Sequence, residues 1–579
     1  MGRRSPNCIA AMAVLTAVVH LTGCTAAHLL PPPQRLVFAD DTPVAKPSSR
    51  GRPLIEEVIE MSFVTQLEQA FDLPRVIRKI VGRPYEAIDV DNFDEVPDNS
   101  WFTNRNTRVP MSLEKIRRGP CRGDGPDPNG SWTVVSLKTV GVTPGMVIDD
   151  SSGERYIIKF DPPDFAELSS GAEMVTSRLF HAAGYNVPEN YIAHLDPEGL
   201  TIGPGAIRTE ETADNRDPLT IRNLVKDELA QVLRCAASAC RTPPIGGAAR
   251  ELHRHPSAKG QQRIRVLASR FLAGVPVGPW SYMGTRGSDP NDVYPHEHRR
   301  EVRGLYVVSS WLNHADMKEE NTLDMYDPRL RTVRHCLIDF GASLGSNSTT
   351  PSDPRRGQAN SFDVVDSFFR LVSLGLYVHD YERAPRTIAH PAVGYIDNSL
   401  FEPDDWKPMY PVPAFENLTA RDAFWGARIV VSFSDAQIGA AVSAAEFSSP
   451  EAALLMKGFL IERRDRIGRF WFSRLNPLDR FQVSEGSLGF TDLAVRRGYS
   501  RAQDARYEYR VTAPSGSPLA EGVTVDTHLL LNPAWRRFDY VVVSLLPRRL
   551  RDHARPVSVY ARPESADGEW VVVGLRRPD

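Results

Sequence analysis

The stretch His314-Ala315-Asp316-Met317-Lys318-Glu319-Glu320-Asn321 constrains this chain most, because Leu337-Ile338-Asp339-Phe340-Gly341 follows it closely. Between the two, Leu323 to Tyr326 and Arg334 to Ile338 read as the strands of a hairpin. A hairpin brings its open ends together, so Asn321 and Asp339 are expected side by side. Taken singly, Asp316 and Asn321 are also ordinary capping residues; the order of the whole set is what narrows the choice.

Upstream, residues 131–197 read as β-β-β-α-β. The expected strands are Trp132 to Leu137, Met146 to Asp149, Tyr156 to Phe160 and Tyr191 to Leu195. Ser170 is the expected cap of the helix, which runs to about Ala183 and ends at Gly184. Lys159 stands in the apolar run Tyr-Ile-Ile-Lys-Phe, where an unpaired ammonium is costly. Glu173 on the following helix is its expected partner, and Glu167 is the rival.

Phosphoryl transfer asks little covalent chemistry of a protein. It needs a lysine on the nucleotide phosphates, a carboxylate fixing that lysine, a metal pair, and a carboxylate at the acceptor hydroxyl. Lys159, Glu173, Asp316, Asn321 and Asp339 supply these types in that order. The set resembles the catalytic and metal-binding loops of the protein-kinase-like superfamily. The resemblance implies an α+β, two-lobed fold. A β-rich N-lobe would span 131–300, with an insertion at 199–262, and a helical C-lobe would span 301–482. It implies ATP or another nucleotide and Mg2+ as cofactors. Lys159, Glu173, Gly141 and Gly145 would face the nucleotide, Asn321 and Asp339 the metal, and Asp316 and Lys318 the transferred group.

The chain departs from the protein-kinase pattern at three points. Ala315 replaces the arginine of H-R-D, no A-P-E follows Asp339, and no G-x-G-x-x-G precedes Lys159. Gly141-Val142-Thr143-Pro144-Gly145 is the candidate phosphate loop instead. With Gly184-Tyr185-Asn186-Val187-Pro188, the chain looks more like the HipA-like and phosphatidylinositol-kinase-like branch, and like bacterial lipoproteins with this core.

The N-terminus bears on location. Arg3 and Arg4 precede a short apolar run from Ile9 to Leu21, the shape of a signal peptide. Leu21-Thr22-Gly23-Cys24 resembles a bacterial lipobox, which implies cleavage of residues 1–23 and acylation of Cys24. Thr25, where an Asp would retain the protein at the inner membrane, favours the outer membrane. The expected location is the cell envelope, outside the cytoplasm and lipid-anchored. The expected partners are a nucleotide and an envelope protein, lipid or glycan acceptor. The net charge of −3 gives no reason to expect nucleic acid. An ATP-poor location leaves a rival reading open, a catalytically inactive binding or scaffold protein.

The remaining segments carry weaker signals. Residues 24–54 are Pro- and Ser-rich, the composition of a disordered tether. Residues 55–130 are expected to be an extension packed on the core, opening with a helix on Ile55, Val58, Ile59, Phe63 and Leu67 and anchored by Trp101-Phe102. Asp89 to Glu95 lacks the glycine and distal glutamate of a calcium loop and reads as solvated. Leu219 to Leu233 reads as a helix, and His253 and His255 as loop residues. Gly274 to Pro279 reads as a hinge, and His296 and His298 as polar residues opening a helix. Phe362 to Leu374, a helix capped by Ser434 and a long one opened by Ser449-Pro450 read as helical, with Glu462 to Arg466 as solvated face. Residues 483–579 are expected to form a separate β-sandwich-like domain. Cys121 and Cys336 are expected free; Cys235 and Cys240 pair only if the backbone turns between them.

Overall fold

The computed structural model describes residues 31–51, 72–81, 83–138, 143–208, 263–362, 364–374, 376–565 and 568–578. Cys24, the helix from Ile55, Gly141, Leu219 to Leu233, Cys235, Cys240, His253 and His255 lie outside them. The described residues are α+β and divide into two compact units, a larger one within 36–91 and 95–475 and a smaller one of 31–35, 92–94 and 476–578. Among the described residues, no helix is long and apolar enough to cross a membrane.

The larger unit begins with α1 (Leu73–Ile80) and α2 (Leu113–Arg118). A six-stranded sheet follows, made of β1 (Trp132–Lys138), β2 (Gly145–Asp149), β3 (Arg155–Phe160), β4 (Asn190–Leu195), β5 (Leu200–Arg208) and β6 (Ile264–Arg270), in the order β4-β6-β3-β2-β1-β5. β1 and β5 pair in parallel, so residues 200–208, expected within an insertion, belong to the sheet. Alternation sorts the faces: Tyr156, Ile158 and Phe160 enter the core with Val134, Met146 and Ile148. Lys159 consequently projects from the opposite face of β3.

Helix α3 (Leu168–Ala183) crosses between β3 and β4. Ser170 lies inside its first turn and does not cap it. Asp161 takes that role from outside, accepting from Ser170 N at 2.8 Å and from Ser170 Oγ at 2.6 Å. A second sheet joins β7 (Val275–Gly278), β8 (Thr322–Asp327) and β9 (Thr332–Leu337). The expected hinge at Gly274 to Pro279 is therefore a strand.

Between β7 and β8 runs α4 (Arg300–Leu312). His296 does open this region, yet it is buried, with Nε2 2.8 Å from Asp292. The acidic run is not fully solvated either. Asp89 is buried and accepts from Arg300 N at 2.9 Å, because a carboxylate satisfies the free N–H groups at a helix start.

The helices α5 (Val364–Val372), α6 (Ala420–Ser432), α7 (Asp435–Ser443) and α8 (Pro450–Arg474) complete the larger unit. Ser434 and Ser449 cap α7 and α8 as expected. Arg463 and Arg464 are buried instead of solvated: Arg463 donates to Ser310 O at 2.7 Å, and Arg464 donates to Phe433 O at 3.0 Å. Burial pushes the Arg463 guanidinium down to about 9.

Residues 36–50, expected in the tether, run along the larger unit. Val44 N donates to Arg331 O at 2.8 Å and Arg50 N to Val277 O at 2.9 Å. An extended segment can satisfy exposed strand and turn groups without secondary structure of its own. Trp101 stacks on His335 at 3.7 Å and Phe102 packs on Trp425, anchoring the extension.

In the smaller unit, β10 (Leu478–Ser484), β11 (Ser487–Asp492) and β14 (His528–Leu530) form one sheet. A second contains β12 (Tyr507–Thr512), β13 (Pro518–Thr524), β15 (Val541–Pro547), β16 (Val557–Pro563) and β17 (Trp570–Arg576). Both contribute to one apolar cluster, Leu488 and Phe490 from the first and Val543 and Val559 from the second. The unit starts at Asn476, and its first strand begins before the expected residue 483.

Candidate functional site

Lys159 Nζ donates to Glu173 Oε2 at 2.9 Å and to Oε1 at 3.1 Å. It also donates to Asp339 Oδ1 at 3.0 Å. Strand β3, helix α3 and the Asp-Phe-Gly loop thus meet at one ammonium. Burial works against this charge, but Asp339 and Glu173 outweigh it and hold the ammonium well above its usual range. The rival Glu167 is engaged elsewhere, accepting from Ser448 N at 3.0 Å.

The backbone accounts for the aim of Asp339. Its φ is 59°, a left-handed conformation that Asp tolerates better than most residues. Phe340 is fully buried, between Phe180 and His314. A Cβ on Gly341 would lie 2.8 Å from Ser169 Oγ and 3.5 Å from Glu173 Oε2. Glycine lets this loop close on the first turns of α3 without displacing the Ser169 hydroxyl. Asp339 itself keeps 45% of its side chain exposed against 3% for Glu173, so Asp339 faces the open side.

The hairpin sets the second pair. β8 and β9 align Thr322 with Leu337, and Ile338 N donates to Asn321 O at 2.9 Å, which brings Asn321 and Asp339 to its open end. Asn321 Nδ2 donates to the Asp316 carbonyl at 2.8 Å. That contact fixes the amide and leaves Oδ1 as its acceptor oxygen. Asn321 Oδ1 and the Asp339 carboxylate fit Mg2+, which takes few protein ligands and completes its shell with phosphates and water. Among the described residues, no group of three or more His, Cys, Asp or Glu is arranged to cage a metal by itself.

Lys318 precedes a short turn of helix at Glu319–Asn321 and pairs with Glu320 at 3.4 Å. Burial disfavours its charge, while Asp316 and Glu320 raise it, with Asp339 adding to the field. Asp316 and Lys318 therefore share one electrostatic neighbourhood with Asp339. Behind them, His314 is buried; burial pushes it down to about 4, so the ring is neutral.

Gly145 begins β2 directly opposite Lys159 in the register, and Pro144 O accepts from Phe160 N at 3.2 Å. Pro144 and Gly145 accordingly lie at the strand end that bears Lys159. Two contributors went unnoticed in the sequence. Asp161 caps α3, and the Asp-Pro-Pro run before the helix is a signal that points to it. Arg356 precedes Gly357, which closes on Asn313 just before the Asp316 loop, and no sequence spacing indicated it.

No family model matches the chain, and no curated protein matches it. Among solved structures, the chain is similar to the Helicobacter pylori proinflammatory kinase CtkA, at 13% identity and a TM-score of 0.29, over 58% of this chain and 93% of that one. A likeness this loose carries no assignment of fold or activity.

Proposed function

We propose that this chain is an atypical kinase-like phosphotransferase using a Mg-nucleotide. In this reading it is lipid-anchored through Cys24 outside the cytoplasm, at the outer membrane, and acts on an envelope protein, lipid head group or glycan. One observation carries the catalytic part: a single ammonium, Lys159, held by Glu173 and Asp339 together. A purely structural ion pair needs one carboxylate. The second, exposed one has a use if a cation and phosphates compete for it.

In this reading the six-stranded sheet with α3 is the N-lobe, and α4 to α8 belong to the C-lobe. The two sheets of the smaller unit are an appended sandwich. Glu173 orients Lys159 toward the nucleotide phosphates, and Gly145, with Gly141 outside the described residues, belongs to the loop proposed to meet them. Asn321 and Asp339 hold Mg2+, which when bound neutralises phosphate charge. Asp316 orients the acceptor hydroxyl and takes its proton. Lys318 lies where charge develops on the moving phosphoryl group.

The test is turnover of γ-labelled nucleotide by the purified protein beside Asp316→Asn. The expected loss is about 10²- to 10⁴-fold. Equal turnover in the two proteins contradicts the role of Asp316. The rival, a catalytically inactive scaffold with a kinase-like fold, is favoured by the missing G-x-G-x-x-G before Lys159, and absence of turnover in the wild type supports it.

A further inference from the structure

The segment after the Asp-Phe-Gly loop returns to the catalytic loop. Met409 N donates to Ala315 O at 2.7 Å, Ser361 N to Met409 O at 2.7 Å, and Lys407 N to Gly357 O at 3.0 Å. These bonds layer residues 357–361 and 407–409 onto Ala315. Gly357 has a φ of +83°, and a Cβ there would lie 2.5 Å from Asn313 Oδ1 and 2.8 Å from Trp406 Nε1. The chain is held tightly at the end of α4, immediately before His314 and Asp316.

Arg356 precedes that glycine. Its Nη2 donates to the Asn347 side-chain oxygen, a neutral group. Its Nη1 is buried without a hydrogen-bond partner. No carboxylate among the described residues forms an ion pair with it. Burial lowers its charge affinity, and the nearby charged or ionisable groups Asp316, Asp353 and Tyr410 offset this only in part. Arg356 as a whole is half-buried, but an N–H donor that is buried without an acceptor is costly, because its desolvation goes unrecovered. Ala315, itself buried, provides no cation of the loop's own at this point.

We infer that Arg356 marks an anion subsite beside Asp316, so that the acceptor carries a phosphate or carboxylate group near its reacting hydroxyl. The acceptor part rests on the phosphotransfer reading; the anion subsite does not. The planar fork of arginine matches two oxygens of either anion. With the anion seated on Arg356, the hydroxyl beside it comes within reach of Asp316.

The test titrates the whole protein with inorganic phosphate, acetate and chloride at matched ionic strength, by calorimetry, beside Arg356→Lys and Arg356→Met. Phosphate is expected to bind about tenfold more weakly to Arg356→Met, which is about 1.4 kcal/mol. Arg356→Lys, which keeps the charge but not the fork, is expected to fall between. If Arg356→Met does not melt cooperatively, Arg356→Lys decides the matter by the same comparison. Acetate binding with the same dependence assigns a carboxylate acceptor, whereas phosphate alone assigns a phosphate. Equal phosphate affinity in the wild type and the Arg356 variants, or no binding of either anion to the wild type, overturns the subsite. Mg-nucleotide titrations of the same proteins separate the two ideas: Arg356-dependent phosphate binding in a protein that ignores nucleotide retains the subsite and removes the phosphotransfer reading.

Discussion

Lys159 and Asp339, 180 positions apart, meet at 3.0 Å, and Glu173 closes the same contact from helix α3. Two segments that read separately in the sequence share one ion cluster. Glu173 is the buried member of the cluster, and Asp339 the exposed one.

Lys159→Met is expected to destabilise the protein by about 2 kcal/mol, because it leaves a buried carboxylate without its ammonium. Glu173→Gln in the same chain is expected to recover most of that loss. Urea unfolding of both single variants and the double variant measures the coupling. Strict additivity of the two single effects would mean that the contact contributes nothing.

Gly341→Ala is expected to cost about 1–3 kcal/mol, since its Cβ meets Ser169 Oγ. Ser169→Ala removes the obstructing oxygen and is expected to restore part of the stability. Thermal melts of the three variants check this; a double variant no better than Gly341→Ala would point to the backbone, and not to Ser169.

His314 predicts an acid limb. Burial pushes it down to about 4 in the folded chain, against about 6.5 when unfolded. Between those values the unfolded chain binds the extra proton. His314 thus adds no penalty above pH 6.5, and stability falls as pH drops toward 4, by about 3 kcal/mol. In His314→Phe, the urea midpoint is expected to vary less with pH across this window. Equal slopes in the two proteins would remove His314 as the source.

The strands around Lys159, the hairpin and the capped helices were legible because alternation, turn residues and caps are local signals. Glu173 was legible because a lysine in an apolar strand needs a carboxylate. Arg463 and Arg464 were misread because a charged run on a helix looks solvated, and only the facing Ser310 and Phe433 carbonyls reveal otherwise. Residues 36–50 were misread because their order comes from distant partners, Arg331 and Val277. Arg356 shares this limit: its place beside Asp316 depends on long-range layering through Met409.

Cys24→Ser is expected to move the expressed protein from the membrane to the soluble fraction and to abolish incorporation of labelled palmitate. One acyl-bearing cysteine would account for both readouts. Retention of Cys24→Ser in the membrane fraction would argue for another mode of attachment.

Calorimetric titration of Mg-ATP into the wild type and Asp339→Ala tests the central claim most directly. The account predicts saturable, Mg2+-dependent binding by the wild type and at least about tenfold weaker binding by Asp339→Ala, through loss of a metal-holding carboxylate. Equal affinity in the two proteins would contradict it.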